Sequence, residues 1–267
     1  MRYFSRKTAS PFPAQRTSGN PFLYKALLAV FVTFLVAPPA FAEEQDAADI
    51  FSKYDHYYID IAVDETGAAT KTYDTGLTVL KEDAVKDAKE TSFEYSTSVE
   101  KADIIAAYTK KPDGKHIDVP PNNFQLDVNS GKDKQAPAFS DYTTMTVIFP
   151  DVAVGDTLVL SYKITESEPM FPKQFSLAEP FSRYFTYDDA RVTLSIPASL
   201  HPTYENFGLT EKQNKEVNGR KIYEWTFQNK KPTKIPLQTS RVYDFAQEPS
   251  VLISTFPSYA AIAEAYG

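Results

Sequence analysis

Apolar side chains recur at every second position through six segments of this chain. Tyr57, Ile59, Ile61 and Val63 alternate with Tyr58, Asp60 and Ala62. Phe93–Val99, Met145–Phe149, Leu158–Ile164, Val192–Ile196 and Tyr223–Phe227 repeat the pattern. Successive side chains of a strand point to opposite faces, so each run has one apolar and one wetter face. β-Branched and aromatic residues fill these runs, as a half-buried pleated surface prefers. An amphipathic helix would need a period near 3.6 instead.

The punctuation between runs fits hairpins. Asn218-Gly219 is the dipeptide of a two-residue turn, in which both residues need positive φ. Lys111-Pro112-Asp113-Gly114-Lys115 places Pro where φ is preset and Gly where the chain reverses, between a strand near Ile104–Thr109 and one near His116–Val119. Asp64–Gly67 and Gly155-Asp156 read as further turns. Asn129–Gln135 is a polar loop, and Ser167–Phe185, rich in Pro and Phe, reads as a crossing between sheets. Lys81–Glu90 is helical in composition but lacks an apolar stripe. Ser258 fits the N-cap of a short helix over Tyr259–Tyr266. Many strands and little helix predict an all-β fold, an antiparallel sandwich of two packed sheets with a short C-terminal helix.

Residues 1–42 differ from the rest. They hold five basic residues and no acidic one. Ala26–Ala37 is an apolar run of 12 residues, too short for a bilayer that needs about 20. With its basic flank, the following Pro38-Pro39 and the small residues of Ala40-Phe41-Ala42, it reads as a secretory signal cleaved between Ala42 and Glu43. The expected division is a signal peptide over 1–42, a β-sandwich over 43–253 and the start of another unit over 254–267. Cleavage leaves 23 basic against 35 acidic residues, a net charge of −12. The expected location is the periplasm or the exterior, with no stable membrane span after cleavage. An acidic body disfavours nucleic acid and favours neutral or basic partners such as an envelope protein, peptide or glycan.

The chemistry is bounded as closely. With no cysteine, the chain has no thiol nucleophile, disulfide or thiolate metal site. Glycine-rich nucleotide loops, His-Glu-x-x-His and Gly-x-Ser-x-Gly are absent, so no cofactor, metal or catalytic residue is expected. His56, His116 and His201 fall in separate segments. Glu166/Glu168 and Asp188/Asp189 could pair for acid–base work only if buried, and solvated strand ends are the simpler reading. The aromatic load stands out, with 17 Tyr, 19 Phe and one Trp. Most belong in a core, but Phe181, Tyr184 and Tyr187 cluster at the irregular crossing and are the candidate ligand-facing aromatics.

The order of these motifs resembles a known family. A Pro-Asp-Gly turn (Lys111–Lys115) precedes Ile-Phe-Pro-Asp-Val-x-x-Gly-Asp (Ile148–Asp156), then Tyr162 and the Phe181/Phe185 pair. Ile196-Pro197, the Tyr223-x-Trp225 strand and a Ser-Thr-Phe segment opening a helix (Ser254–Tyr266) follow. This is similar, over about residues 50–267, to the exported bacterial domain of unknown function 3857. The resemblance implies a non-catalytic β-sandwich that binds or scaffolds, N-terminal to a transglutaminase-like core with a Cys-His-Asp site. No residue of that site can be matched here. It also implies that residues 254–267 are the first helix of such a core, and that the chain is a piece of a larger transglutaminase or cysteine-peptidase-like enzyme. A carbohydrate-binding module using the exposed aromatics is the third expectation.

Overall fold

The computed structural model describes residues 49–128, 141–234 and 248–266. Ala42 and Glu43, the loop Asn129–Gln135 and Gly267 lie outside the described residues. The described chain runs β1 (Ser52–Val63), β2 (Ala69–Val79), α1 (Glu82–Ala88), β3 (Glu90–Ser96), β4 (Glu100–Lys110), β5 (His116–Asp118), β6 (Phe124–Val128) and β7 (Tyr142–Ile148). It continues with β8 (Thr157–Glu166), β9 (Ser176–Pro180), β10 (Thr186–Pro197), β11 (Thr203–Phe207), β12 (Thr210–Val217), β13 (Arg220–Asn229), β14 (Ser250–Ser254) and α2 (Tyr259–Ala265).

These strands form one wide sheet and two small ones. The wide sheet has the order β12-β13-β10-β1-β2-β8-β4-β5, and the small sheets are β11-β14-β9 and β3-β7-β6. Both small sheets lie on the same face of the wide one. Ile59 pairs with Tyr73 and Tyr73 with Tyr162, so these three share a face. On that face Ile59, Leu194 and Trp225 pack with Val251 and Ile253 of β14. Farther along, Val79, Leu158 and Leu160 pack with Val147 and Phe149 beyond α1. The sandwich thus has two cores under one shared sheet. Trp225, Ile59, Ile196 and Val251 are wholly enclosed in the first, and Val147 and Val79 in the second.

The fold is all-β as expected, and among the described pairs one departs from antiparallel. β1 runs parallel to β10, with Lys53 opposite Thr186 and Ile61 opposite Leu194. A parallel neighbour needs a long crossover, and here β2, β4, β5 and β8 of the wide sheet, the whole of the β3-β7-β6 sheet and β9 intervene.

The turns are those the sequence dictates. Asn218 (φ 51°) and Gly219 (φ 74°) close the β12–β13 hairpin. The Asp64 carboxylate accepts from the Thr66 and Ala68 amides at the β1–β2 turn. Lys111 Nζ reaches the buried Asp156 carboxylate at 2.8 Å, which also accepts from the Ala153 amide. That ion pair ties the Pro-Asp-Gly turn to the Gly-Asp turn before β8. Within Lys81–Glu90 the helix α1 covers Glu82–Ala88, with Glu82 and Asp83 in its first turn, Lys86 in its last and only Ala84 and Ala88 buried. Two small buried residues explain why no apolar stripe shows in the sequence.

Candidate functional site

The two cores meet at stacked tyrosines. Tyr73 of β2 packs against the first core and Tyr162 of β8 against the second. Their rings stack with centroids 4.8 Å apart, and Phe93 of β3 covers the far face of Tyr162 at 3.9 Å. On the other side, Tyr57 meets Tyr54 edge-on at 5.1 Å and Phe181 at 5.9 Å, and Tyr54 stacks on Tyr187 at 5.2 Å. Tyr54, Tyr57, Tyr73 and Tyr162 all remain partly open to solvent.

A carboxylate faces this seam. In β9 Leu177 opposes Ile253 and Glu179 opposes Val251. Val251 and Ile253 are buried, so Leu177 and Glu179 share their inward face and look toward the wide sheet. β9 is an edge strand of its sheet, which is why Pro180 can end it without breaking an interior ladder.

The electrostatics are unusual for a carboxylate. Among the described residues, Glu179 accepts no hydrogen bond and joins no ion pair. Burial pushes its carboxyl up to about 7, with Lys71 acting in the opposite direction. Tyr57, Tyr73, Tyr162 and Tyr187 are raised above the ordinary phenol value, first by burial and further by the Glu179 charge. Lys71 stands on the same inner face, opposite Ile61 and Ile164. Glu166, also raised by burial, accepts from the Ala69 amide at 3.0 Å. Glu100 accepts from the Ser96 amide at 2.7 Å. Such a site can hold a proton near neutrality or a cation in its place.

The aromatics named from sequence are placed differently from expectation. Phe181 is 1% and Tyr187 5% exposed, both within the first core, so neither presents a ring to a ligand. Phe181 packs against Tyr57, Tyr187 and Phe227, because the crossing that carries it folds inward between β9 and β10. Tyr184 is half-buried, its amide donating to Ser182 Oγ. Phe185 is the ring of this cluster that stands half in solvent. Glu179 escaped the sequence reading. Its signal is parity: Phe175, Leu177, Glu179 and Phe181 alternate, which puts one acid on an apolar face.

The remaining candidates stand apart from the seam. His56 Nε2 lies 3.5 Å from an Asp74 carboxylate oxygen, and its ring fills the space beside Gly76. His116 stacks on Tyr108 at 4.3 Å, and His201 takes a left-handed conformation (φ 51°) in a turn. Asp188 pairs with Lys53, and Asp189 accepts from the Tyr58 hydroxyl at 2.6 Å. Glu168 is exposed. Among the described residues no group of three or more His, Asp or Glu is arranged to hold a metal, and no helix is long and apolar enough to cross a membrane. The outer face of the wide sheet carries a shallow depression lined by Asp60, Thr70, Thr72, Thr193, Ser195 and Ile222.

Comparison with known proteins supplies the frame for these features. No curated protein matches the chain. Among solved structures, one described as a "putative protease" from Parabacteroides distasonis is 19% identical with a TM-score of 0.70, and the match covers 79% of this chain and 41% of that one. An M1 zinc metallopeptidase from Deinococcus radiodurans is 12% identical with a TM-score of 0.32, covering 78% and 43% respectively. The first likeness shows the fold; the second is too loose to add to it. The chain spans about two fifths of the length of both. A family model described as a domain of unknown function with solved structure, DUF3857, matches residues 65–234. β1 lies wholly before the matched span and β14 wholly after it, yet both sit inside the same sandwich. With more than half of its length matched, the chain belongs to the DUF3857 family.

Proposed function

We propose that this chain is an exported, non-catalytic β-sandwich module that binds, as a scaffold, a transglutaminase-like catalytic domain. One observation carries the reading: an exposed apolar patch around α2. Tyr259 is 91%, Met170 78% and Tyr266 71% exposed. Tyr266 leans on Phe171 at 4.9 Å, and Phe171 on Phe256 at 5.7 Å. α2 has seven residues and buries none of them. A helix that short is not stable in water on its own, even with the Ser258 cap. A large apolar patch on one side of a folded domain marks an interface. The occupant we assign is the catalytic domain, because the chain is a DUF3857 member and its fold recurs in a longer protein, of which the match covers only 41%.

The absence of cysteine from the sequence removes the nucleophile such a catalytic domain would use. The acidic body and the leader of residues 1–42 support export. The test is to read the gene beyond the Gly267 codon and to follow hydrogen exchange. A cysteine-containing transglutaminase-like frame is expected there. The amides of α2 should exchange freely in residues 43–267 alone and be protected in the longer protein. Amine incorporation into a glutamine substrate should appear only with the longer protein. A stop codon, or α2 amides equally protected in the isolated module, overturns the reading.

A further inference from the structure

We propose that the seam between the two cores binds a primary alkylammonium group, Glu179 pairing with the cation through one N–H while two of the Tyr57, Tyr73 and Tyr162 hydroxyls accept hydrogen bonds from the other two. This does not depend on the α2 interface. Glu179 looks into the seam by the β9–β14 register and has no hydrogen-bond donor among the described residues. Its oxygens keep some contact with solvent, but a half-buried carboxylate with no protein donor loses part of its hydration, which an arriving donor restores. An ammonium brings three donors on one small head. The residues flanking Glu179 place it beside these phenols: Leu177, two positions before, packs on the first core with Tyr57 and Tyr73, Phe181, two positions after, meets the Tyr57 ring at 5.9 Å, and Tyr162 stacks on Tyr73. Tyr162 has both ring faces covered, by Tyr73 and Phe93, and can offer only its oxygen. Tyr73 and Tyr57 add ring surface, which attracts a cation through its quadrupole.

The charges around the seam favour the same occupant. β1 contributes Tyr54 and Tyr57, β2 Lys71 and Tyr73, β4 Glu100, β8 Tyr162 and Glu166, and β10 Tyr187. Three carboxyls therefore face one resident ammonium. Lys71 influences Glu179 but forms no ion pair with it among the described residues, so it acts as a competitor held at a distance. The ligand chemistry is that of a lysine side chain or of a free amine.

The experiment titrates the folded chain with n-butylammonium and with n-butanol, its neutral isostere, following tyrosine ring signals by NMR at about pH 8. Saturable butylammonium binding with a Kd of about 1 mM is expected, and butanol should bind at least about tenfold more weakly. Glu179→Gln should erase that preference, with a thermal melt confirming that the variant folds. Lys71→Met should tighten butylammonium binding several-fold, and Tyr162→Phe should weaken it. Because a proton competes for the same carboxyl, lowering the pH to about 6 should weaken binding about tenfold. A blocked peptide containing one lysine separates the sources. Tighter binding than butylammonium assigns a protein-borne lysine, and equal or weaker binding assigns a free amine. Equal affinity for butanol, no saturation up to about 50 mM, or unchanged binding in Glu179→Gln overturns the proposal.

Discussion

Glu179 shares its parity with Phe175, Leu177 and Phe181, so the backbone that buries those three must also carry a carboxyl inward. The chain meets this cost by keeping the proton. In the folded state the carboxyl holds it up to about 7, whereas an unfolded glutamate releases it near 4.3. The native state therefore binds the proton more tightly between those two values. Its contribution to stability is complete below the unfolded value and is lost as pH rises through about 7. Glu166 is shifted in the same direction and adds to the trend. We expect the Tm of the wild-type chain, measured by circular dichroism across this window, to fall relative to that of Glu179→Gln, whose amide does not titrate. A constant difference between the two melts over the window would refute the assignment.

At the scale of the element, the turn between β1 and β2 is docked rather than free. Gly67 has φ of +95°, and a β-carbon there would lie 2.5 Å from the Gln174 carbonyl oxygen. Lys173 donates its amide to the Thr66 carbonyl at 2.6 Å beside it. Gly67→Ala should thus cost roughly 2–4 kcal/mol, from left-handed strain plus a backbone clash, as read by urea denaturation. Gly114→Ala is the comparison: it shares the positive φ but meets nothing within 4 Å, and should cost only the strain. The same two turns show what is legible in the sequence. Turns and strands with a strong apolar face, such as β1, β8, β10 and β13, follow from period and punctuation alone. β12 does not, because Thr-Glu-Lys-Gln-Asn-Lys-Glu-Val has almost no apolar face. It exists as a charged edge, aligned by the Asn218-Gly219 turn against β13. β2 is the more instructive omission. Its inward positions are Ala69, Lys71, Tyr73, Thr75, Leu77 and Val79. The two that break the apolar pattern, Lys71 and Thr75, flank Tyr73, one of the seam's stacked rings. The strand was hard to read where it stops being core and starts being site. β9 was hidden for the same reason, by Glu179.

At the scale of the whole molecule, one sheet roofs two cores, and neither core is closed without strands that the other also uses. β2 illustrates this, with Tyr73 packed on the first core and Val79 buried in the second. The halves should consequently unfold together. Trp225 is the single tryptophan and lies wholly in the first core, so its fluorescence reports one half while far-UV circular dichroism reports both. In a urea titration the two transitions should coincide. A fluorescence midpoint displaced from the dichroism midpoint would show two independent units instead. The parallel pairing of β1 with β10 carries a further consequence, one of timing. Lys53 meets Thr186, so the middle strand of the wide sheet needs a neighbour encoded far downstream. At about 5–20 residues per second, β10 leaves the ribosome roughly 10 s after β1. During that interval β1 has β2 on one side and an open ladder on the other, a strand edge that invites any passing chain to pair with it. The yield of the protein in cells should therefore be governed by that wait as much as by the stability of the finished sandwich.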